Sequence, residues 1–120
     1  IVEQEPNNSP AKAQRLTPPC EVSGQFFPAT EQDWFTFEAK AGETVRVEVF
    51  AERLGSTLDG SLTLYDAAGN ILATNDDTFG RDPQIVHRFT TLGRFFVVVS
   101  SVNEKAAPTH VYLLSASWGP

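Results

Sequence analysis

The sequence predicts an all-β fold, an antiparallel β-sandwich of jelly-roll type with about eight short strands behind a short helical lead-in. Three observations carry it. From Cys20 onward, apolar and polar residues alternate at period two. Turn-forming groups interrupt the chain at a spacing of roughly 8–12 residues, as a sandwich requires. One segment, residues 94–101, contains Phe95-Phe96-Val97-Val98-Val99 and is apolar on both faces, which marks a central strand.

Each element follows from local chemistry. The first twenty residues hold Pro6, Pro10, Pro18 and Pro19. Within them, Ser9 as N-cap and Pro10 at the first helical position predict a short helix over AKAQRL, ended by Pro18-Pro19. Residues 1–19 thus read as a lead-in or linker, and 20–118 as one sandwich domain. Residues 21–27 form the first predicted strand. Residues 33–39 alternate, with Phe35, Phe37 and Ala39 on one face. After the turn Lys40-Ala41-Gly42-Glu43, residues 44–51 point Val45, Val47 and Val49 inward and Arg46 and Glu48 outward. Leu62, Leu64 and Tyr65 belong to a strand ending at Asp66. Ala67-Ala68-Gly69-Asn70 is a hairpin turn, with Gly69 and Asn70 suited to positive φ, and residues 71–74 return. A polar loop over 75–83 leads to strands at 85–91, 94–101 and 110–117.

Composition narrows the function classes. The 120 residues are 41% hydrophobic, enough for one domain with a core of its own. Nine basic against fifteen acidic residues give a formal charge of −6, which repels phosphate backbones, so nucleic acid is a poor partner. A single cysteine, Cys20, rules out an internal disulfide and a cysteine-based zinc site. No apolar run reaches the roughly 18 residues of a membrane helix. The chain has no Met, so Ile1 is not a translation start and the sequence reads as a module of a longer protein.

The order of motifs resembles a known family. EPNNSPAKAQ, VSGQF and DWFTFEAKAGETVRVEV are followed by SLTLYDAAGNILATNDD and LGRFFVVVSSV. Together these are similar to the bacterial pre-peptidase C-terminal domain, over roughly residues 3 to 115. The resemblance implies a non-catalytic sandwich appended to secreted or cell-envelope bacterial proteins, often proteases. In such proteins it would serve export, folding, domain docking or substrate attachment. The expected partners are other domains of the parent chain and polysaccharide or extracellular protein, with the module itself monomeric. The collagen-binding modules of clostridial collagenases are a related branch, in which calcium sits between lead-in and sandwich.

Calcium takes roughly six to eight oxygen ligands, several of them carboxylates. Glu3, Glu5 and Asn7 alternate, so an extended chain points all three to one side, and Asn8 adds a further oxygen. By resemblance, this is the lead-in half of a calcium site, completed by Glu31 and Asp33 ahead of the DWFTF strand. The sequence departs from the family pattern in having Asn8 in place of an aspartate and few carboxylates over residues 28–32. The alternative is that Glu3 and Glu5 are solvated linker charges and Asp33 caps a strand. A weaker oxygen-rich loop combines Asp59, Asn75, Asp76 and Asp77. It fails as an EF-hand, because Val86 stands where a bidentate Glu is needed.

No catalytic constellation is evident. His87 and His110 are isolated in strands, no G-x-S-x-G elbow exists, and Cys20 has no base beside it. A dedicated carbohydrate- or collagen-binding module would instead carry solvent-facing aromatics in a row. Phe50, Tyr65 and Tyr112 are the candidates, with Trp118 beside them. Phe50 and Trp34 both fall out of phase with the inward residues of their strands. Aromatics in line on one sheet would favour ligand binding, an apolar patch near the termini would favour docking, and scattered rings would mark an inert spacer.

Overall fold

A computed structural model describes residues 13–25, 32–50, 60–75, 83–101 and 111–119. Among these, nine strands form two sheets and no helix occurs: β1 (Gln14–Arg15), β2 (Cys20–Gln25), β3 (Asp33–Ala39), β4 (Thr44–Phe50), β5 (Gly60–Asp66), β6 (Ile71–Asn75), β7 (Gln84–Arg88), β8 (Gly93–Ser101) and β9 (Val111–Trp118). One sheet runs β1-β3-β8-β5-β6 and the other β2-β9-β4-β7. With β1 set aside, the chain visits the two sheets in the jelly-roll pattern, and every pairing among the other strands is antiparallel.

The expected alternation places the core. Val45, Val47 and Val49 of β4, Leu114 and Ala116 of β9 and Val22 of β2 face inward from the four-stranded sheet. Phe35, Phe37, Leu62, Leu64, Val97 and Val99 meet them from the five-stranded sheet. Phe89, just past the end of β7, closes the layer by packing against Phe37 and Phe95 at ring separations of 5.9 and 4.2 Å. At about 1.5–3 kcal/mol for each fully buried large apolar side chain, this layer is the main source of stability. As the sequence predicts, β8 is central, third of five strands.

The lead-in departs from expectation. Residues 9–12 of the predicted helix lie outside the described residues, but residues 13–16 are extended rather than helical. Gln14 and Arg15 pair in parallel with Phe35 and Thr36, and the Leu16 amide donates to the Thr36 carbonyl at 2.7 Å. Gln14 and Leu16 are buried while Arg15 is exposed, a period of two that a helix cannot make. One or two helical turns are marginal in water. The open edge of β3 offers backbone bonds and a place for Leu16 in the core, and the strand forms instead. The accompanying Arg15–Glu38 ion pair, 3.7 Å apart and mostly exposed, adds well under about 1 kcal/mol.

Two turns hold as predicted. Gly42 and Gly69 both sit at φ 89°, a left-handed conformation that glycine takes without steric cost. Asp66 locks the second turn, accepting hydrogen bonds from the Ala68 and Asn70 amides at 3.0 and 2.9 Å and from Asn70 Nδ2 at 3.1 Å.

Candidate binding surface

Where inward residues build the core, the residues between them build the outer faces. On the five-stranded sheet, β3 presents Trp34, β8 presents Phe96 and Val98, and β5 presents Tyr65. The register sets Trp34 beside Val98 and Tyr65 beside Phe96, on either side of the central strand. The indole of Trp34 leans over β8 to stack on Tyr65, with ring centroids 5.3 Å apart and planes 19° from parallel. Phe96 meets Trp34 edge-on, at 5.9 Å and 70°. This roof explains why Phe96 and Val98 are buried although neither belongs to the inter-sheet core. It is a second, smaller hydrophobic cluster on the outside of the sandwich.

The cluster is more than a lid. Trp34, Tyr65 and Phe96, together with Asp66, Ala67 and Gly69 of the β5–β6 turn, line a depression of about 170 Å3. The carboxyl of Asp66 lies below the usual carboxylate range, chiefly because of the Asn70 backbone amide and then the Asn70 side chain. On the far side, the Arg94 guanidinium stands 5.2 Å from the Phe96 centroid. Its Nε donates to Thr36 Oγ1 at 2.9 Å, and Thr36 donates in turn to the Phe95 carbonyl at 2.9 Å. Trp34 Nε1 is directed to Gln32 Oε1 at 3.4 Å.

The other aromatic candidates part company. Tyr112, expected on the surface, is buried in the core. Its ring covers Gly24, where a Cβ would fall 2.2 Å from it, and its hydroxyl donates to Asp33 Oδ2 at 2.6 Å. The bond ties β9 of one sheet to β3 of the other, and Tyr112 therefore has no surface to offer a ligand. Its even position beside Leu114 and Ala116 already carried that signal. Trp118 also turns inward, 6.0 Å edge-on from Phe37. Phe50 lies half-buried on the outer face of the opposite sheet. Of the three aromatics singled out for binding, only Tyr65 joins the cluster. Its partners are Trp34, which the alternation of β3 puts out of phase with the core, and Phe96, which the apolar run of β8 places on a central strand.

For calcium, Glu3, Glu5, Asn7, Asn8 and Glu31 lie outside the described residues. Asp33 is fully buried and turns its carboxyl toward Tyr112 rather than along the surface. In the second loop, Asp59, Asp76 and Asp77 are likewise outside. Asn75 ends β6, and its Oδ1 accepts the Gln84 amide at 3.2 Å, a bond across to β7. Among the described residues, no three His, Cys, Asp or Glu side chains gather.

A family comparison adds to this geometry. The model of the bacterial pre-peptidase C-terminal domain matches residues 31–101. The chain belongs to that family. It is 36% identical over 102 residues to a probable subtilase-type serine protease of Deinococcus radiodurans, covering 82% of this chain and 14% of the relative's length. Among solved structures, the pre-peptidase C-terminal domain of a Bacillus anthracis collagenase matches with a TM-score of 0.73 and 18% identity. That match covers 92% of this chain and all of the other. The periplasmic inhibitor of g-type lysozyme from Aeromonas hydrophila has a TM-score of 0.67 and 17% identity, over 89% of this chain and 96% of its own. At these identities the structural likeness speaks for the fold alone.

Cys20 and His87 sit in structural settings. Cys20 is half-buried at the edge of the core, where desolvation raises its thiol pKa and keeps it protonated and poorly nucleophilic. His87 stacks edge-on against Phe89 at 4.9 Å. His110 lies outside the described residues. A second depression, of about 280 Å3, sits near the chain ends between Leu16, Ala39, Leu92 and Trp118. Its rim is charged, with Arg15, Glu38, Lys40 and Glu43.

Proposed function

We propose that this chain is a non-catalytic accessory domain of a larger, exported bacterial protein of protease type. It attaches that protein to an extracellular protein or polysaccharide through the outer aromatic face of the five-stranded sheet. The observation that carries the reading is the gathering of Trp34, Tyr65 and Phe96 from three adjacent strands around one open depression. A spacer would leave its aromatics scattered.

Family membership and the protease named among the relatives support the accessory role, since the chain spans only 14% of that relative's length. The periplasmic setting of a protein with the same fold supports export. Among the described residues, no helix is long and apolar enough to cross a membrane.

The test uses the parent protein carrying Trp34→Ala/Tyr65→Ala. Retention on insoluble extracellular protein or polysaccharide should fall at least tenfold, with hydrolysis of a short soluble peptide unchanged. Phe50→Ala, on the opposite face, should change neither. Full retention by the double variant would refute the assignment of this face.

Calcium at the lead-in belongs to the same proposal and is supported by the pattern of Glu3, Glu5, Asn7 and Asn8. Calcium at about a hundred times its dissociation constant should stabilise the domain by roughly 2.7 kcal/mol relative to EDTA. Glu3→Ala/Glu5→Ala should abolish that gain. Coincident thermal melts with calcium and with EDTA would leave the lead-in as a linker.

A further inference from the structure

The corner of rings and the arginine beside it offer two different contacts within one short span. Trp34, Tyr65 and Phe96 wall a depression of about 170 Å3, room for one side chain rather than a strand. The rings are spent largely on one another. Trp34 and Tyr65 share a face with planes 19° apart, and the buried Phe96 meets the indole edge-on. A row of sugar units needs several exposed ring faces, whereas an apolar side chain needs only walls.

The charge next to the corner is positive. By register, Arg15, Thr36 and Phe96 form one outward row, and Glu38 and Arg94 the next. Arg15, Thr36, Glu38 and Arg94 line a second depression of about 190 Å3, which sets two guanidinium groups against one carboxylate. Glu38 leans to Arg15 at 3.7 Å, and among the described residues Arg94 forms no ion pair. Arg94 is nonetheless fixed. Its Nε donates to Thr36 Oγ1 at 2.9 Å, Thr36 donates to the Phe95 carbonyl, and the guanidinium carbon stands 5.2 Å from the Phe96 centroid. With Nε committed to the sheet, the two terminal nitrogens remain as a planar fork that matches a carboxylate. Asp66, in register with Phe95 on the opposite phase, spends both carboxyl oxygens on its own turn.

We propose that this face docks an acidic segment of an extracellular protein, with one apolar side chain in the ring corner and a carboxylate two residues away on Arg94. The inference deepens the attachment role and rests on it. Along β8 the outward order is Arg94, Phe96, Val98, and Trp34 pairs with Val98, so corner and fork lie on either side of Phe96. Positions i and i+2 of an extended segment fall about 7 Å apart on one side. That span suits an indole 5.9 Å and a guanidinium 5.2 Å from the same ring centroid. The chain carries −6 overall, but at physiological salt a surface charge is felt over about 8 Å. The arginines nearest the corner therefore set the field there.

The experiment titrates the chain with acetyl-Gly-Leu-Ser-Glu-Gly-amide and follows the Trp34 indole N–H and Arg94 Nε–H resonances, assigned through Trp34→Phe and Arg94→Gln. Control peptides carry glutamine for glutamate, or alanine for leucine. The glutamate peptide should shift both resonances saturably, with each control at least fivefold weaker. Raising the salt concentration should weaken the glutamate peptide more than the glutamine one. In Arg94→Gln the preference for glutamate, read at Trp34, should shrink to twofold or less. Arg46→Gln, on the outer face of the other sheet, should preserve it.

Equal affinity for the glutamate and glutamine peptides would overturn the inference, as would silence toward both or an undiminished preference in Arg94→Gln. A response to trigalacturonate with none to the peptides would assign the carboxylate to an acidic polysaccharide and overturn it too. These outcomes separate from failure of the attachment role. If Trp34→Ala/Tyr65→Ala releases the parent protein from its target while glutamate and glutamine bind alike, the face stands and the acidic partner falls. If the double variant is retained fully, both fall.

Discussion

The outer faces of the two sheets are made by the same alternation and come out differently. On the four-stranded sheet, outward positions carry Glu21, Ser23, Arg46, Glu48, Ser115, Ser117 and Arg88. Phe50 is the one aromatic among its described outward residues, paired with Leu113 of β9, and Val86 is exposed. Gln84 Nε2 donates to Glu48 Oε1 at 3.2 Å, the kind of polar cross-strand contact a solvated face uses. On the five-stranded sheet, the outward side of β8 carries Phe96 and Val98 between Arg94 and Ser100, and its neighbours supply Trp34 and Tyr65. An antiparallel sheet with one wet face needs no such cluster. The contrast shows that period two decides which residues face out, while the identity of the outward residues decides whether that face is merely solvated or sticky.

The largest expected effect tests this contrast directly. Phe96→Ala should cost about 3 kcal/mol in urea unfolding, because it removes a buried ring from beneath Trp34 and Tyr65. Phe50→Ala on the other face should cost about 1 kcal/mol or less. Equal costs would mean that the two faces do not differ in packing.

A smaller effect sharpens how the two sheets are joined. Tyr112→Phe deletes the hydroxyl that donates to Asp33 Oδ2 across the sandwich and should destabilise by about 1–3 kcal/mol. The same substitution should leave attachment through the aromatic face untouched, since Tyr112 is inside. Loss of attachment with full stability would instead place Tyr112 in the binding surface.

The smallest effect concerns pH. Asp66 has a folded pKa below its unfolded one, so its contribution is fully present above the unfolded pKa and is lost as pH falls through the folded pKa. Stability of the unaltered chain should therefore decline through the acid limb more steeply than that of Asp66→Asn. Parallel acid limbs would show that the turn bonds to Asp66 do not favour its charged form.

How much was legible in the sequence can be judged residue by residue. Strand β3 was readable to the residue, and β4 nearly so, because each alternates without interruption. The centrality of β8 followed from its apolar residues on both phases. The lead-in strand β1 was not legible, because Ala13-Gln14-Arg15-Leu16 has good local helix propensity. Only the free edge of β3, a partner supplied by the folded sheet, overrides that preference. Tyr112 shares the phase of Leu114 and Ala116, so the strand period places it inside against the surface preference of its residue type.

The sequence by itself determined the class of fold, the two main glycine turns and which side chains share a strand face. These are consequences of local sterics and of a period fixed by backbone geometry. Tertiary structure alone decided that Trp34, Phe96 and Tyr65 meet, because they lie on strands adjacent only through the jelly-roll order. It also decided that Tyr112 crosses the core to Asp33 rather than facing solvent. Strand order is set by how two whole faces bury each other, and no short window of sequence contains that choice.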